Sequence, residues 1–284
     1  NPDRLILIDY PGFNLRLARE AVQLGIPVTY FILPQVWAWK EGRVSILKDS
    51  VDQCLSIIPF EQEWFENKDV EANFVGHPFI ELEPPKQTIN QFLSRHNLIY
   101  DSPILTLLPG SRQQEINQHW PIYIKAVKMI KSNISNIQVI VGKAPGVTLP
   151  NTPDFIKIEE NDPQLTMCYG DAALVASGTA TLEAAVLDIP MVVSYRFSLP
   201  TWIFAKKMAT VSYASIVNLI ANETIVPEFI QSEMTSENLT NAVIPLFNKT
   251  SERKIMLLGY EKVRRTLGMP GVYDRAAEAI LNRL

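Results

Sequence analysis

The sequence is poor in cysteine, carries no excess of positive charge, and lacks long apolar runs. Its two cysteines, Cys54 and Cys168, lie far apart, and neither belongs to a CxxC pair. That argues against zinc and redox centres and fits a reducing compartment. Lys and Arg number 26 against 30 Asp and Glu, a net charge of −4. Such a balance argues against a nucleic-acid backbone as partner, so an anionic ligand must be held by local groups rather than by the global field. No apolar run is long enough to cross a bilayer. Internal repeats and low-complexity tracts are missing as well. What remains is an ordinary globular composition, 47% hydrophobic and 20% charged over 284 residues, with length for about two domains.

The pattern along the chain is strand–helix alternation, which predicts an α/β protein of parallel sheets with right-handed crossovers. RLILID (4–9) is a continuous apolar run ending in Asp9, the mark of a buried parallel strand. PGFN reads as the turn after it, and Leu15, Leu17, Ala18, Ala21, Val22 and Leu24 form a helical stripe stopped by Gly25. VTYFIL, CLSIIPF and ANFVGHP are further strand candidates. EPPKQT (83–88) breaks the rhythm with two prolines and is the best linker. Strands at ILTLLP, QVIVG, FIKIEE, AALVAS and MVVSYR then alternate with helices, and the tail beyond Thr201 is mostly helical. The prediction is two doubly wound Rossmann-like lobes, the first cut short: residues 1–84, residues 85–265, and a last helix at 266–284 able to pack back on the first lobe. The chain opens at Asn1 and enters a strand almost at once, which suggests that residues ahead of it have been lost.

Two short turns carry most of the functional signal. LLPGSRQQE (107–115) and ASGTATLEAA (176–185) each read as a strand, a small-residue turn and a helix start. Backbone N–H groups at such a start converge on one spot, and the helix dipole favours an anion there. Two of them suggest a cradle for a nucleotide diphosphate. In the first, Gly110 permits the turn, Ser111 is placed to N-cap the helix with Gln114 at the capping-box position, and Arg112 can fork onto a phosphate. In the second, Ser177, Gly178 and Thr179 offer N–H groups and hydroxyls, and Glu183, about one turn further in, suits a ribose cis-diol. The bland readings are a surface arginine and a helix-start glutamate.

Asp9 ends a strand, where a carboxylate serves either as general base or as a turn former. His77, in VGHP, reads as a substrate contact against the structural role more usual for a lone histidine. Ligands of such folds bind outside the carboxyl ends of the strands and between lobes. That predicts one cleft lined by Asp9, residues 34–39, Gly76–His77, Gly110–Arg112 and Ser177–Gly178.

IDYPGFN, PQVWAWKEGR, PFE, FVGHP, LPGSRQQE, SGTATLE, PMVVSYR, VSYASIVNL and VPEFIQ occur in that order. The series resembles the lipid-A-disaccharide synthase family of glycosyltransferases, of GT-B architecture, from about residue 2 to the C-terminus. The resemblance implies transfer of a diacylglucosamine unit from UDP-2,3-diacylglucosamine to 2,3-diacylglucosamine 1-phosphate. The product is a β-1,6 disaccharide with release of UDP; the anomeric centre inverts, and neither metal nor cofactor is required. It implies Asp9 as the base in a DxPxFN motif that Asn14 closes, Arg112 near the donor phosphates, and Glu183 on the ribose. Asn218 matches a PNL stretch in which Val217 here replaces the proline, and Glu228 and Gln231 match a VPELLQ-like pair. It further implies a cytoplasmic enzyme, peripheral on the inner face of the cytoplasmic membrane, with a homodimer left open. PTWIFAKK (200–207) has the apolar and basic character of a membrane-contacting segment, though a buried helix reads the same way.

The family's N-terminal stretch, with its Gly-containing acceptor loop, has no counterpart here, so the expectation is a fragment poorly active alone. The alternatives are another GT-B UDP-GlcNAc transferase or epimerase acting on unacylated sugars, and an inactive UDP-sugar-binding fragment.

Overall fold

A computed structural model describes residues 2–38, 40–198 and 212–283. Trp39, the predicted helix at 201–209 and the PTWIFAKK segment lie outside the described residues. The chain divides into two compact units, each taken by itself below. Among the described residues, the first comprises 2–82 with 264–283, and the second 83–198 with 212–263.

The first unit opens with β1 (Leu5–Ile8), α1 (Pro11–Gln23), β2 (Val28–Phe31), α2 (Val44–Ser50), β3 (Gln53–Ser56), α3 (Glu61–Glu66) and β4 (Ala72–Phe74). PGFN is not a turn. The turn is Asp9–Tyr10, and Pro11 begins α1, a position where its fixed φ and missing N–H cost nothing. The four strands form one parallel sheet in the order β1-β2-β3-β4. Side chains alternate across it with period two. Leu7, Tyr30, Cys54 and Ala72 pack with Leu15, Ala18 and Ala21 of α1. Phe31, Leu55 and Val75 point to the other face.

The second unit holds α4 (Ile89–His96), β5 (Ile104–Leu108), α5 (Gln113–Asn133), β6 (Gln138–Gly142), β7 (Ile156–Glu159), α6 (Gln164–Tyr169), β8 (Ala172–Ala176), α7 (Thr179–Val186), β9 (Met191–Tyr195), α8 (Ile216–Ala221), β10 (Glu228–Ile230), α9 (Ser236–Val243) and most of α10 (Ser251–Thr266). Its six strands are all parallel, in the order β10-β9-β8-β5-β6-β7. β5 and β8 are buried at every residue, as befits central parallel strands covered on both faces. α8 and β10 were not foreseen in the sequence. The order reverses between β5 and β8: β6 and β7 are added on one side, β9 and β10 on the other. In open α/β sheets such a switch point opens the crevice where ligands bind.

The chain then returns to the first unit. Its last helix, α11 (Val272–Leu281), packs Val272 and Ala276 onto the face formed by Phe31, Leu55 and Val75. Gln53 Nε2 donates to the Ala279 carbonyl at 2.7 Å, and Arg275 Nε donates to the Val75 carbonyl at 3.0 Å.

Candidate functional site

In the first unit Asp9 stands just past β1 with its side chain exposed. Asp9 and Tyr10 both take left-handed backbone angles, φ +47° and +45°, a conformation that costs a non-glycine residue about 1–3 kcal/mol. Three hydrogen bonds hold it. The Asp9 N–H donates to the Phe31 carbonyl at 3.0 Å. The Asp9 carbonyl accepts from the Tyr30 hydroxyl at 2.6 Å and from Asn14 Nδ2 at 2.7 Å. Asn14 Nδ2 also reaches the Ile8 carbonyl at 3.0 Å. Asn14, expected to touch substrate, therefore clamps the Asp9 backbone, and the Asp9 carboxylate projects from a strained, tied-down turn.

His77 is at the same end of the sheet but follows β4, the opposite edge. Three strand spacings, about 14 Å, separate it from the strand that carries Asp9. It is buried, and its Nδ1 accepts the Phe79 N–H at 3.1 Å. Burial lowers its pKa to about 4, so the ring is neutral at pH 7. These contacts make it a turn cap and do not bring it to Asp9. Trp37 is core: its Nε1 donates at 2.9 Å to Glu61, whose pKa burial raises to about 8.

The two glycine turns of the second unit follow β5 and β8, which are hydrogen-bonded neighbours at the switch point. The topology brings them together, but they differ in state. At the first, the N-cap is Arg112, not Ser111, and its N3 partner is Glu115, not Gln114. Glu115 Oε2 accepts the N–H groups of Ser111 and Arg112 at 2.9 and 3.2 Å. Its Oε1 accepts from Arg112 Nη1 and from the Tyr195 hydroxyl, both at 2.9 Å. The expected phosphate donors of this turn are thus taken by a carboxylate of the same helix. A Cβ on Gly110, at φ +126°, would lie 2.6 Å from that carboxylate, so glycine is what lets it fold in. Burial alone would raise the pKa of Glu115, but the hydrogen bonds from Tyr195, Ser111 and Arg112 outweigh it and hold the group below the usual carboxylate range.

At the second turn Gly178 is the N-cap, at φ +153° with open space around its Cα. The N3 residue is Thr181, whose hydroxyl turns back to the Gly178 carbonyl at 2.8 Å. No hydrogen bond from the N–H groups of Gly178, Thr179 or Ala180 is found among the described residues, and Gly178 and Thr179 are exposed. Ser177 does not join them. Its N–H donates to the Ser194 carbonyl at 3.0 Å and its hydroxyl to the Ala214 carbonyl at 2.6 Å. One turn into α7, Glu183 accepts a hydrogen bond from Gln164 Nε2 at 2.6 Å. Burial raises its pKa, against the Gln164 hydrogen bond and with help from nearby Asp162.

Asn218, Glu228 and Gln231 hold backbone. Asn218 is fully buried; its Nδ2 donates to Val226 and Glu228, and its Oδ1 accepts the N–H groups of Ile225 and Val226. Glu228 accepts the N–H groups of Ala214 and Ser215 at 2.7 and 2.8 Å. Gln231 Oε1 accepts the Phe197 N–H at 2.6 Å, and its carbonyl accepts from the Arg196 guanidinium. Asn218 and Glu228 thus frame the segment 214–218 beside Ser177, and Gln231 holds the backbone at Arg196 and Phe197.

Four residues of this site were missed in the sequence: Glu115, His119, Tyr195 and Arg196. His119 is buried on α5. Its Nε2 accepts the Arg196 N–H at 2.9 Å, so Nδ1 carries the proton and donates to the Pro109 carbonyl at 2.7 Å. Burial lowers its pKa. It is a neutral strut between the β5 turn and the end of β9. The readable signal was a glutamate three residues after Arg112, the spacing of a capping box.

The model of the lipid-A-disaccharide synthetase family matches residues 1–280. A lipid-A-disaccharide synthase of Myxococcus xanthus is 40% identical over 100% of this chain and 76% of its own length. Two solved structures share the fold at low identity. The S. aureus MnaA–UDP co-structure aligns with TM-score 0.69 at 11% identity, over 100% of this chain and 77% of that one. The calicheamicin glycosyltransferase CalG4 aligns with TM-score 0.58 at 16% identity, over 99% and 76%.

Proposed function

The chain belongs to the lipid-A-disaccharide synthase family, and from that membership we propose how its residues divide the work. The activity is that of a hexosyltransferase: it joins UDP-2,3-diacylglucosamine to 2,3-diacylglucosamine 1-phosphate and releases UDP. The alternatives, another GT-B UDP-GlcNAc transferase or epimerase or an inactive UDP-sugar-binding fragment, are not favoured by the family match over residues 1–280.

The second unit is the donor unit. One observation carries this: at the switch point an exposed helix tip, whose first N–H groups are unengaged among the described residues, stands on the strand next to an exposed arginine. The α7 tip takes the diphosphate of the donor, and the Arg112 guanidinium takes the charge that builds on it as UDP leaves. Glu183, already accepting one amide hydrogen bond, receives the ribose hydroxyls. Asn218 and Glu228 act through the segment 214–218, and Gln231 acts through Arg196 and Phe197. A protein of the same fold, MnaA, was solved with UDP, in keeping with a uridine nucleotide as ligand.

The first unit supplies Asp9 as the base that takes the proton of the acceptor 6-hydroxyl. The left-handed Asp9–Tyr10 pair is the kind of strained turn that persists where a side chain must be aimed. Asn14 and Tyr30 position it. The test is Asp9→Asn, assayed with both acylated substrates and by titration with UDP. The expected result is unchanged UDP affinity with turnover down by about 10²-fold or more; near-normal turnover removes Asp9 as the base.

Both substrates carry acyl chains, so the working location is the inner face of the cytoplasmic membrane. No helix among the described residues is long and apolar enough to cross a membrane, and the contact proposed is peripheral. Cosedimentation with anionic vesicles checks this.

A further inference from the structure

We propose that Glu115, steadied by Tyr195, is a positioning residue that aims Arg112 at the donor diphosphate, and that the α5 tip itself takes no phosphate. The proposal rests on the reading of the second unit as the donor unit. Its grounds are geometric. Glu115 is buried to 8% residual exposure, yet four donors converge on its carboxylate: the Ser111 and Arg112 N–H groups, Arg112 Nη1 and the Tyr195 hydroxyl. The first three fix the GSR turn from its own helix. The fourth comes from the end of β9 and ties that carboxylate across β8 to a third strand.

Arg112 is held at one nitrogen only, and its side chain remains 76% exposed. The other guanidinium nitrogens have no hydrogen bond among the described residues, so the same side chain can pair with Glu115 on one edge and a phosphate on the other. Glu115 thereby restricts the rotamers of a long side chain before the ligand arrives, which lowers the ordering cost at binding. A phosphate seated on the Ser111 and Arg112 N–H groups would have to displace Glu115 Oε2 from both of them while Arg112 Nη1 and the Tyr195 hydroxyl still hold Oε1 beside it.

The experiment is calorimetric titration of UDP into the chain, with Arg112→Ala, Glu115→Gln, Tyr195→Phe and the double variant Arg112→Ala/Glu115→Gln. Arg112→Ala is expected to weaken UDP about 10-fold and Glu115→Gln about 5-fold. The double variant is expected to bind no worse than Arg112→Ala, because Glu115 acts through that arginine. A merely structural glutamate would lower affinity by the same factor with or without Arg112, so full additivity overturns the proposal. Tighter binding by Glu115→Gln also overturns it, since Glu115 would then be a plug in a phosphate site.

With UDP-2,3-diacylglucosamine as donor, Glu115→Gln should reproduce the KM and kcat pattern of Arg112→Ala in milder form; a pattern confined to thermal stability counts against it. If Glu115→Gln fails to fold, Tyr195→Phe keeps the question open to decision. It leaves the turn's own hydrogen bonds intact and should weaken UDP two- to threefold, an effect absent in the Arg112→Ala background. Loss of UDP binding by the unaltered chain would instead sink the donor-unit reading.

Discussion

The tips of α5 and α7 begin as the same sentence in sequence, a buried strand, a small-residue turn and a helix, and they end in opposite states. At α5 the N3 residue is Glu115, and its carboxylate closes over the turn's N–H groups. At α7 the N3 residue is Thr181, whose hydroxyl bonds the Gly178 carbonyl instead, and the first N–H groups have no partner among the described residues. The helix dipole and the strand–turn–helix arrangement are common to both. What decides is one side chain three residues into the helix: long enough and acidic, it supplies the anion internally; short, it leaves the anion to a ligand. A phosphate at the α5 tip would lie within about 4 Å of a carboxylate, a repulsion of about 4 kcal/mol at the effective dielectric of a protein surface. Anion sites at helix starts are therefore read from N3 as much as from the glycine.

The sharpest way to break this comparison is to place the same methyl group at both glycines. At Gly110 a Cβ meets the Glu115 carboxylate at 2.6 Å and the Glu115 Cβ at 2.7 Å, whereas at Gly178 nothing lies within 4 Å. Both positions have positive φ, so both alanines cost about 1–2 kcal/mol in backbone strain. Gly110→Ala must also dislodge Glu115 and leave its donors unpaired, about 1–3 kcal/mol more. Urea denaturation should show Gly110→Ala destabilised by about 3–4 kcal/mol and Gly178→Ala by about half of that or less. Equal losses would mean that Glu115 is not what the Gly110 turn accommodates.

A second pair of variants asks which tip donates to the nucleotide. Proline at N1 removes one N–H and otherwise suits a helix start. The residue before it is extended at both sites, with Arg112 at φ −120°, ψ 142° and Gly178 at φ 153°, ψ −164°, which a following proline tolerates. Thr179→Pro should weaken UDP about 10-fold, the loss of one hydrogen bond to a charged acceptor. Gln113→Pro should leave UDP affinity within about twofold. It will cost some stability, because Gln113 bonds both Thr148 backbone groups. A large loss at Gln113 with none at Thr179 would invert the assignment of the tips.

How far the residues announced this outcome differs between sheet and site. The central strands were legible because burial on both faces writes itself as an unbroken apolar run, as in ILTLL and AALVA. Both turns were legible because a strand followed by small residues and a helix has few other meanings. β10 escaped because three residues, Glu228–Ile230, are too short to show a period. Pro11–Gly12 was read as a turn because both residues favour one, yet proline is equally at home at N1.

The α5 cap was misregistered because serine is the better intrinsic N-cap. Glu115 overrides that preference by reaching two N–H groups at once. Asn218, Glu228 and Gln231 stood out as polar residues in a family motif, but a motif does not separate a ligand contact from a backbone clamp. Only burial and hydrogen bonds do that, and for Asn218 all of its amide groups are engaged inside the fold.

The smallest expected effect is on acid stability, and it separates the two glutamates by sign. Glu115 is held below the ordinary carboxylate pKa in the folded state. Its contribution is therefore fully present above the unfolded value of about 4.3 and is lost as pH falls through the folded value. Glu183 is raised, by burial first. Its ionisation disfavours the folded state, so its contribution declines as pH rises from about 4.3 through the folded value. Denaturation midpoints measured between about pH 3 and pH 7 should then diverge. Glu115→Gln should lose most relative to the unaltered chain at neutral pH, with the gap narrowing toward acid. Glu183→Gln should lose little at any pH and gain slightly at neutral pH. Glu115 itself is buried, but its partner Arg112 is largely exposed and water screens the pair, so the swing should be about 1 kcal/mol or less. A gap for Glu115→Gln that does not change with pH would show that hydrogen bonding alone, without the charge, holds the α5 turn closed.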